Sequence, residues 1–378
     1  MARMPWLRAC LTLCALVALV APAAADEAPM RMHFIDVGQG DATLLEFPCA
    51  AVLVDTGGEV FGSFDARREL VAYLDGFFGR RVDLGRSLEL VVLTHPHKDH
   101  TLGVAELLAH GIRVRRAVTN GQRSGSGKAG QKKLLDEVPA ASRREIGFAT
   151  LGDVAARTDA VIDPVDCRPP GDPGAGVDPV IKVLWGEIGE DPGWGYEEYD
   201  GKREDHHDDE NNHSLVLRVD YGKASLLLTG DLEAAAIPDF LAAHAGGLVD
   251  VDVYQAGHHG SANGTTRELL AAMTPKVAVI SMGPAGRTCA QGHWWQKCYT
   301  AYSHGHPRRG VVRELERHVT LSRRNPVTVQ VAERPRTFVP QEVRRCVYGT
   351  GWTGTVVLTA RASDGWIEVE EPAAEPCG

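Results

Sequence analysis

The stretch "VVLTHPHKDHTLG", Val91 to Gly103, decides the fold. An apolar run ends at Leu93, and His95, His97, Asp99 and His100 follow at once. A short continuous apolar run of this kind reads as a strand covered on both faces. The residues after the cluster, "TLGVAELLAHG", read as a helix that stops at Gly111. Imidazole and carboxylate together suit divalent metals such as zinc, manganese or iron. His95 and His97, two apart, can grip one ion from the same side of the loop. Asp99 and His100 sit on a tight turn entering the helix and can face a second ion. Lys98 lies between ligands and points outward. Four ligand-type residues so closely spaced behind a buried strand do not fit a solvated surface cluster.

The same pattern recurs along the chain. Asp36 and Asp41 follow the strand-like "MRMHF", and Asp55 follows "AVLV". Asp231 follows "SLLLTG", and His258 with His259 follows "VDVYQAG". Asp231 is placed to bridge two ions. Two ions about 3.5–4 Å apart can hold a hydroxide and stabilise both attacking and leaving oxygens. Strands interleave with helical segments, with strand pairs at "MRMHF"/"ATLLEF" and "HSLVLRVDYG"/"KASLLLTGD". That order implies an α/β domain whose sheets are covered by helices. "GTVVLTARASDGWIEVE" reads as a closing hairpin that turns at Asp364-Gly365, and residues 340–378 are read as a C-terminal extension carrying it.

Composition sets further bounds. Of 378 residues, 24% are charged and 44% hydrophobic, as in ordinary globular proteins. Arg3 and Arg8 precede the apolar run Leu11 to Val20, and Ala23-Ala24-Ala25 supplies a small-residue cleavage pattern. Residues 1–25 therefore read as a secretory signal peptide, with 26–378 as one domain and a secreted or periplasmic location. The apolar run is shorter than the ~20 residues a spanning helix needs, so no stable span is expected after cleavage. Losing Arg3 and Arg8 leaves 38 basic against 50 acidic residues, a formal −12. Such a chain is a poor nonspecific binder of nucleic acid. The basic stretch "GQRSGSGKAGQKK", Gly121 to Lys133, reads as a solvated loop or a local basic groove. Without Cys10 and Cys14, Cys49, Cys167, Cys289, Cys298, Cys346 and Cys377 remain, an even number that permits disulfides in an exported chain. Cys289 with Cys298 is the expected local pair. The other pairings stay open.

"HPHKDH" resembles the His-x-His-x-Asp-His motif of the metallo-β-lactamase fold hydrolases. More narrowly, "IDVGQGDATLLEF", "VLVDTGG", "NNHSLVLRVDYGKASLLLTGD", "AGHHGSAN", "ISMG" and "SHGHP" resemble, in order, the hydrolase domain of the ComEC competence-protein family. The resemblance implies an αββα metallo-β-lactamase sandwich, a single domain with surface inserts at 121–178 and 186–211, the second within the acidic stretch "EIGEDPGWGYEEYDGKREDHHDDENN", whose composition reads as a loop. It implies two divalent ions, zinc first and manganese second. His95, His97 and His213 would form one metal site, Asp99, His100 and His258 the other, with Asp231 bridging. Asp55 and Asn212 would orient ligands. Asp99, Asp231 and His306 would carry the chemistry, His306 as proton donor. His259, Ser261, Asp41 and Gln39 would contact substrate, although Asp41 and Gln39 also suit turn chemistry. The implied protein is a stand-alone secreted di-metal phosphodiesterase or nuclease acting on nucleic acid or a cell-surface polymer. The rival readings are a lactonase or β-lactamase on the same metal core, and a non-catalytic metal- or surface-binding protein. "RTCAQGHWWQKC" is expected to form a lid through Trp294 and Trp295.

Overall fold

The structure is a computed structural model. It describes residues 28–156, 160–168, 176–199, 202–288, 299–371 and 377. The expected signal peptide and the loop carrying Cys289, Cys298, Trp294 and Trp295 lie outside the described residues.

Two large sheets pack face to face. The first runs Arg143–Glu145, Ala117–Thr119, Leu90–Leu93, Ala51–Val54, Thr43–Glu46, Met30–Phe34, Val356–Ala360, Ile367–Glu371. The second runs Ala160–Val161, Val180–Trp185, Val216–Tyr221, Ala224–Leu228, Val253–Gln255, Val277–Ile280, Val347–Gly349. Strand alternation explains the continuous apolar runs. Leu90 and Val92 point into the core between the sheets, with Phe34, Leu45 and Leu226. Val91 and Leu93 point the other way, under Leu70, Leu74 and Phe77 of the helix Ala66–Arg80. Each fully buried side chain of this size contributes about 1.5–3 kcal/mol. On the second sheet, Ile237, Phe240, Leu269 and Leu315 of three further helices join the same core. The result is the expected αββα sandwich. Among the described residues, no helix is long and apolar enough to cross a membrane.

Three segments differ from expectation. Residues 340–378 hold the expected closing hairpin, Val356–Ala360 paired with Ile367–Glu371, but they are not an appendage. Val347–Gly349 joins the second sheet in parallel with Val277–Ile280. Val356–Ala360 then enters the first sheet beside Met30–Phe34, so the C-terminal segment threads both layers. Thr337–Arg345 pairs with Ser322–Arg334 in a long hairpin whose charged residues hid its alternation, since of its many residues Arg323, Val329, Val331, Ala332 and Val343 are the buried ones. The acidic stretch expected as a loop contains the paired strands Tyr196–Tyr199 and Lys202–Asp205. Two disulfides, Cys49–Cys167 and Cys346–Cys377, resolve four of the six open cysteines.

A buried carboxylate braces the first sheet. Glu46 Oε2 lies 3.2 Å from His33 Nε2, and Arg81 Nη1 donates to Glu46 Oε1 at 2.8 Å. Burial alone pushes the Glu46 pKa up, but the hydrogen bonds from His33 and Arg81 outweigh it and bring the pKa down to about 2. A depressed carboxylate pKa stabilises the fold above the unfolded value, near 4.5, and the gain is lost as pH falls toward 2. Replacement of Glu46 by Gln is expected to destabilise the protein by roughly 1–3 kcal/mol at pH 7. Urea titrations at pH 7, 5 and 3 should show that difference shrinking at the acid end. A constant difference would contradict the assignment.

Candidate metal centre

The strand Leu90–Leu93 delivers the "HPHKDH" loop, and Ala224–Leu228 delivers Asp231 from the other sheet. Asp231 stands at the centre. Its Oδ2 lies 3.1 Å from His100 Nε2, 3.6 Å from His259 Nε2, and 3.8 Å from the Nε2 atoms of His95 and His258. Asp99 Oδ2 is 3.4 Å from His259 Nε2. Donor atoms of Asp99, His100, Asp231 and His259 all lie within 4.8 Å of one another. Deep in the site His95 and His100 are fully buried and Asp231 nearly so, whereas the side chains of His97, Asp99 and His258 are 24%, 26% and 21% exposed. The open edge of the site therefore lies on the His97, Asp99 and His258 side.

Neighbouring groups fix these donors. Asp55, in the left-handed region at φ 58°, accepts from Thr94 N at 2.8 Å and Thr94 Oγ1 at 2.7 Å, and lies 2.7 Å from His100 Nδ1. Such a carboxylate behind an imidazole sets ring orientation and leaves Nε2 to the ion. Asp41 N donates to Asp99 O at 3.0 Å, and Asp41 Oδ1 is 3.5 Å from His259 Nδ1. Gly58 packs so close to the metal loop that a Cβ there would sit 2.2 Å from Asp99 Cα. The segment Gly121 to Lys133 is not a free loop. Gly127 N donates to Pro96 O at 2.6 Å and Lys98 N to Ser126 Oγ at 3.2 Å, so its first half braces the metal loop.

The charges fit a cation. Burial penalises the charged forms of His100 and His259, yet Asp231 with Asp55 and Asp41 raises both well above the usual range. Asp231 would be pushed up by burial, but the surrounding imidazoles hold it well below. His95 is buried and pushed well below, so it stays neutral. His95 Nε2, His100 Nε2, His259 Nε2 and Asp231 Oδ1 are buried without a hydrogen-bond partner. Orphaned donors of this kind, in a cluster that demands positive charge, are what divalent ions require.

The structure corrects several assignments. His213 turns away from the site: its Nδ1 accepts from Ile188 N at 3.0 Å and its Nε2 donates to His207 O at 2.7 Å. Both nitrogens are occupied, and burial lowers its pKa. Asn212 donates to His206 O at 2.9 Å and touches no ligand. His259, expected to contact substrate, joins the donor cluster with Asp99, His100 and Asp231. His258 and His259 both adopt left-handed backbone, φ 47° and 54°, and this puts His259 into the Asp99–Asp231 cluster while His258 Nδ1 lies 2.9 Å from Glu233 Oε1. The Ser261 hydroxyl is held within its own turn by Asn263 and Gly264 N, rather than offered to substrate. Gln39 donates from Nε2 to His306 Nδ1 at 3.1 Å, so it positions His306. Burial, with His258 and His259 beside it, holds His306 well below its usual pKa and therefore neutral.

Two residues escaped sequence reasoning. Ser214 Oγ accepts from Asp231 N at 3.1 Å and lies 3.3 Å from His95 Nδ1, joining both halves of the site. Glu210 Oε2 lies 3.4 Å from His97 Nε2, a contact that brings its pKa down to about 2. Glu210 thus stands where the third donor of the His95–His97 site was expected from His213. The signal was its carboxylate in "ENNHS", three residues from the position favoured.

The fold and this cluster define a metal-dependent hydrolase. The description "Metallo-beta-lactamase superfamily" matches residues 35–283, more than half of the chain, and the chain belongs to that superfamily. Among its relatives, "ComE operon protein 3" of Bacillus subtilis is 28% identical over 301 residues, 76% of this chain and 31% of that protein. "Recombination protein 2" of Haemophilus influenzae is 49% identical over 74 residues, 20% of this chain and 9% of that protein. The chain spans about a third or less of the length of these relatives. A solved metallo-beta-lactamase fold protein, YhfI of Bacillus subtilis, is 12% identical, with a TM-score of 0.31, covering 61% of this chain and 71% of that one.

Titration of metal-stripped protein with Mn²⁺ or Zn²⁺ by calorimetry separates the two candidate donors. Glu210→Gln is expected to weaken one of the two binding events about tenfold or more. His213→Ala should leave both within about twofold. The reverse pattern would restore His213 as the ligand.

Proposed function

We propose that the protein is an exported di-metal phosphodiesterase. The Asp231 carboxylate, set among imidazoles from both sheets, is the observation that carries this reading. His95, His97 and Glu210 would hold one ion and Asp99, His100 and His259 the other, with Asp231 shared. When bound, such ions lower the pKa of water and neutralise charge on the oxygens of a reacting phosphorus centre. Zinc and manganese both suit this mixed imidazole and carboxylate set.

The chain's own residues do the rest. Asp55 and Thr94 hold the His100 ring, and Asp41 steadies His259. The buried floor excludes water, so a diester enters from the His97, Asp99 and His258 side. Gln39 occupies His306 Nδ1, which leaves the proton on Nε2. His306 then offers a neutral N–H donor beside His258 and His259, their ring centroids 5.5 Å and 6.3 Å away. That hydrogen bond supports charge on a substrate oxygen.

Similarity to competence and recombination proteins favours a phosphodiester over a carbonyl substrate. The disulfides Cys49–Cys167 and Cys346–Cys377, together with the signal-like residues 1–25, favour an oxidising compartment.

Purified protein assayed with bis(p-nitrophenyl) phosphate, plasmid DNA and nitrocefin, with and without EDTA, tests the reading. Phosphodiester turnover abolished by EDTA is expected. Asp231→Asn should lower kcat by about 10³-fold or more, the scale of losing a central electrostatic group. Turnover of nitrocefin alone would sink the phosphodiesterase assignment.

A further inference from the structure

Glu59 is a fully buried carboxylate that lies outside the donor cluster, with its side chain 0% exposed. Its Oε2 accepts from Gln39 N at 2.6 Å and from Arg287 Nη1 at 3.1 Å, while Oε1 is buried without a hydrogen-bond partner. Burial pushes the carboxyl up in pKa by more than the Gln39 amide and Arg287 bring it back. A buried carboxylate with an orphaned oxygen costs stability, so its presence calls for a reason beyond packing.

Three loops close on this carboxylate. Gly38 and Gly283 approach so near that a Cβ on either would collide with it, at 2.6 Å from Oε2 in the case of Gly283. Arg287 reaches it from the loop after the strand Val277–Ile280, with its guanidinium carbon 3.5 Å from the centre of the Phe64 ring. The carboxylate therefore sets the spacing between the "DVGQGD" loop and the loop carrying Gly283.

Gln39 spans those two loops and relays their positions to His306. Its Oε1 faces Gly283 N, a group that can only donate, at 3.4 Å. The amide nitrogen is thereby turned to His306 Nδ1, at 3.1 Å. An amide turned the other way would set two donors against each other at Gly283. It would also offer His306 an acceptor, which draws the imidazole proton to Nδ1. The His306 tautomer thus depends on where Gln39 sits relative to Gly283, and Glu59 fixes both.

We propose that Glu59 is a positioning residue that acts through Gln39 to keep the His306 proton on Nε2, and so makes that ring a hydrogen-bond donor to substrate. The kinetic consequence rests on the phosphodiester reading; the tautomer does not.

Proton–nitrogen correlation spectra of metal-stripped protein carrying isotope-labelled histidine read the tautomer directly. The His306 signals are identified by their loss in His306→Asn. Wild type is expected to show the Nε2–H form. Glu59→Gln keeps the volume and removes the charge, and should bring up the Nδ1–H form as a second populated species. In metal-loaded enzyme it should lower kcat for bis(p-nitrophenyl) phosphate about tenfold with KM within about twofold, part of the roughly 10²–10⁴-fold a positioned proton donor contributes. Added to Gln39→Leu, it should change kcat no further, because the two residues act in series. Glu59→Asp retracts the carboxylate by one methylene and should shift the tautomer the same way, which serves if Glu59→Gln melts early. Mn²⁺ affinity by calorimetry should stay within about twofold in each variant. An unchanged His306 tautomer in Glu59→Gln and Glu59→Asp overturns the proposal, whatever the turnover. So does a loss of Mn²⁺ affinity that matches the loss of kcat, since Glu59 would then act on the metal loop. Wild type without phosphodiester turnover removes the phosphodiesterase reading and leaves the tautomer to decide the role of Glu59.

Discussion

A single carboxylate, Asp231, holds the two halves of the protein to a common purpose. It is buried, and a buried carboxylate is tolerated only with compensating charge and hydrogen bonds. The compensation comes from His100 of the first sheet and from His258 and His259 of the second. Ser214 ties its backbone amide to His95, so neither sheet can shift without disturbing the donors of the other. Sandwich packing and ion binding are therefore one thermodynamic problem: ligands that repel one another without a cation are held together by the apolar core beneath them.

What the sequence made legible follows from this. "HPHKDH", Asp55 and Asp231 sit where regular strands end, and a strand fixes the direction of the next few side chains. The buried strand was legible as a continuous apolar run, because Val91 and Leu93 face one core while Leu90 and Val92 face the other; the sandwich itself was implied by the family resemblance. His258 and His259 were not legible in the same way. Their left-handed backbone reverses the usual alternation, and no pattern of residue types announces that two successive histidines take positive φ. His213 was misread for a related reason. It sits in a short 3₁₀ segment, Glu210–His213, and one turn of such a segment decides whether the first or last residue faces the ions.

The acidic stretch shows how a charged segment can be structural and functional at once. Its composition suggested a solvated loop. Yet Asp209 caps the 3₁₀ segment by accepting from Asn211 N at 3.0 Å, and that cap places Glu210 against His97. Asp209 itself is pushed up to about 6, by burial and by Glu233 beside it. Negative charge is thus concentrated around the ions, beyond what the motif residues supply. The disulfides were illegible for a plainer reason: an even number of cysteines allows many pairings, and Cys49 and Cys167 are 118 residues apart.

The long hairpin Ser322–Arg334/Thr337–Arg345 left little trace in the hydrophobic pattern, but it changes the surface beside the site. It brings Glu333 and Ala332 against the loop that carries His306 and Arg308, with Ala332 N donating to Pro307 O at 2.9 Å. That contact fixes the hairpin relative to the loop carrying His306. Net charge describes how a chain meets a polyanion at long range, where an acidic protein repels it. Binding at contact is set within a Debye length of about 10 Å, where a few unpaired guanidinium groups outweigh distant carboxylates.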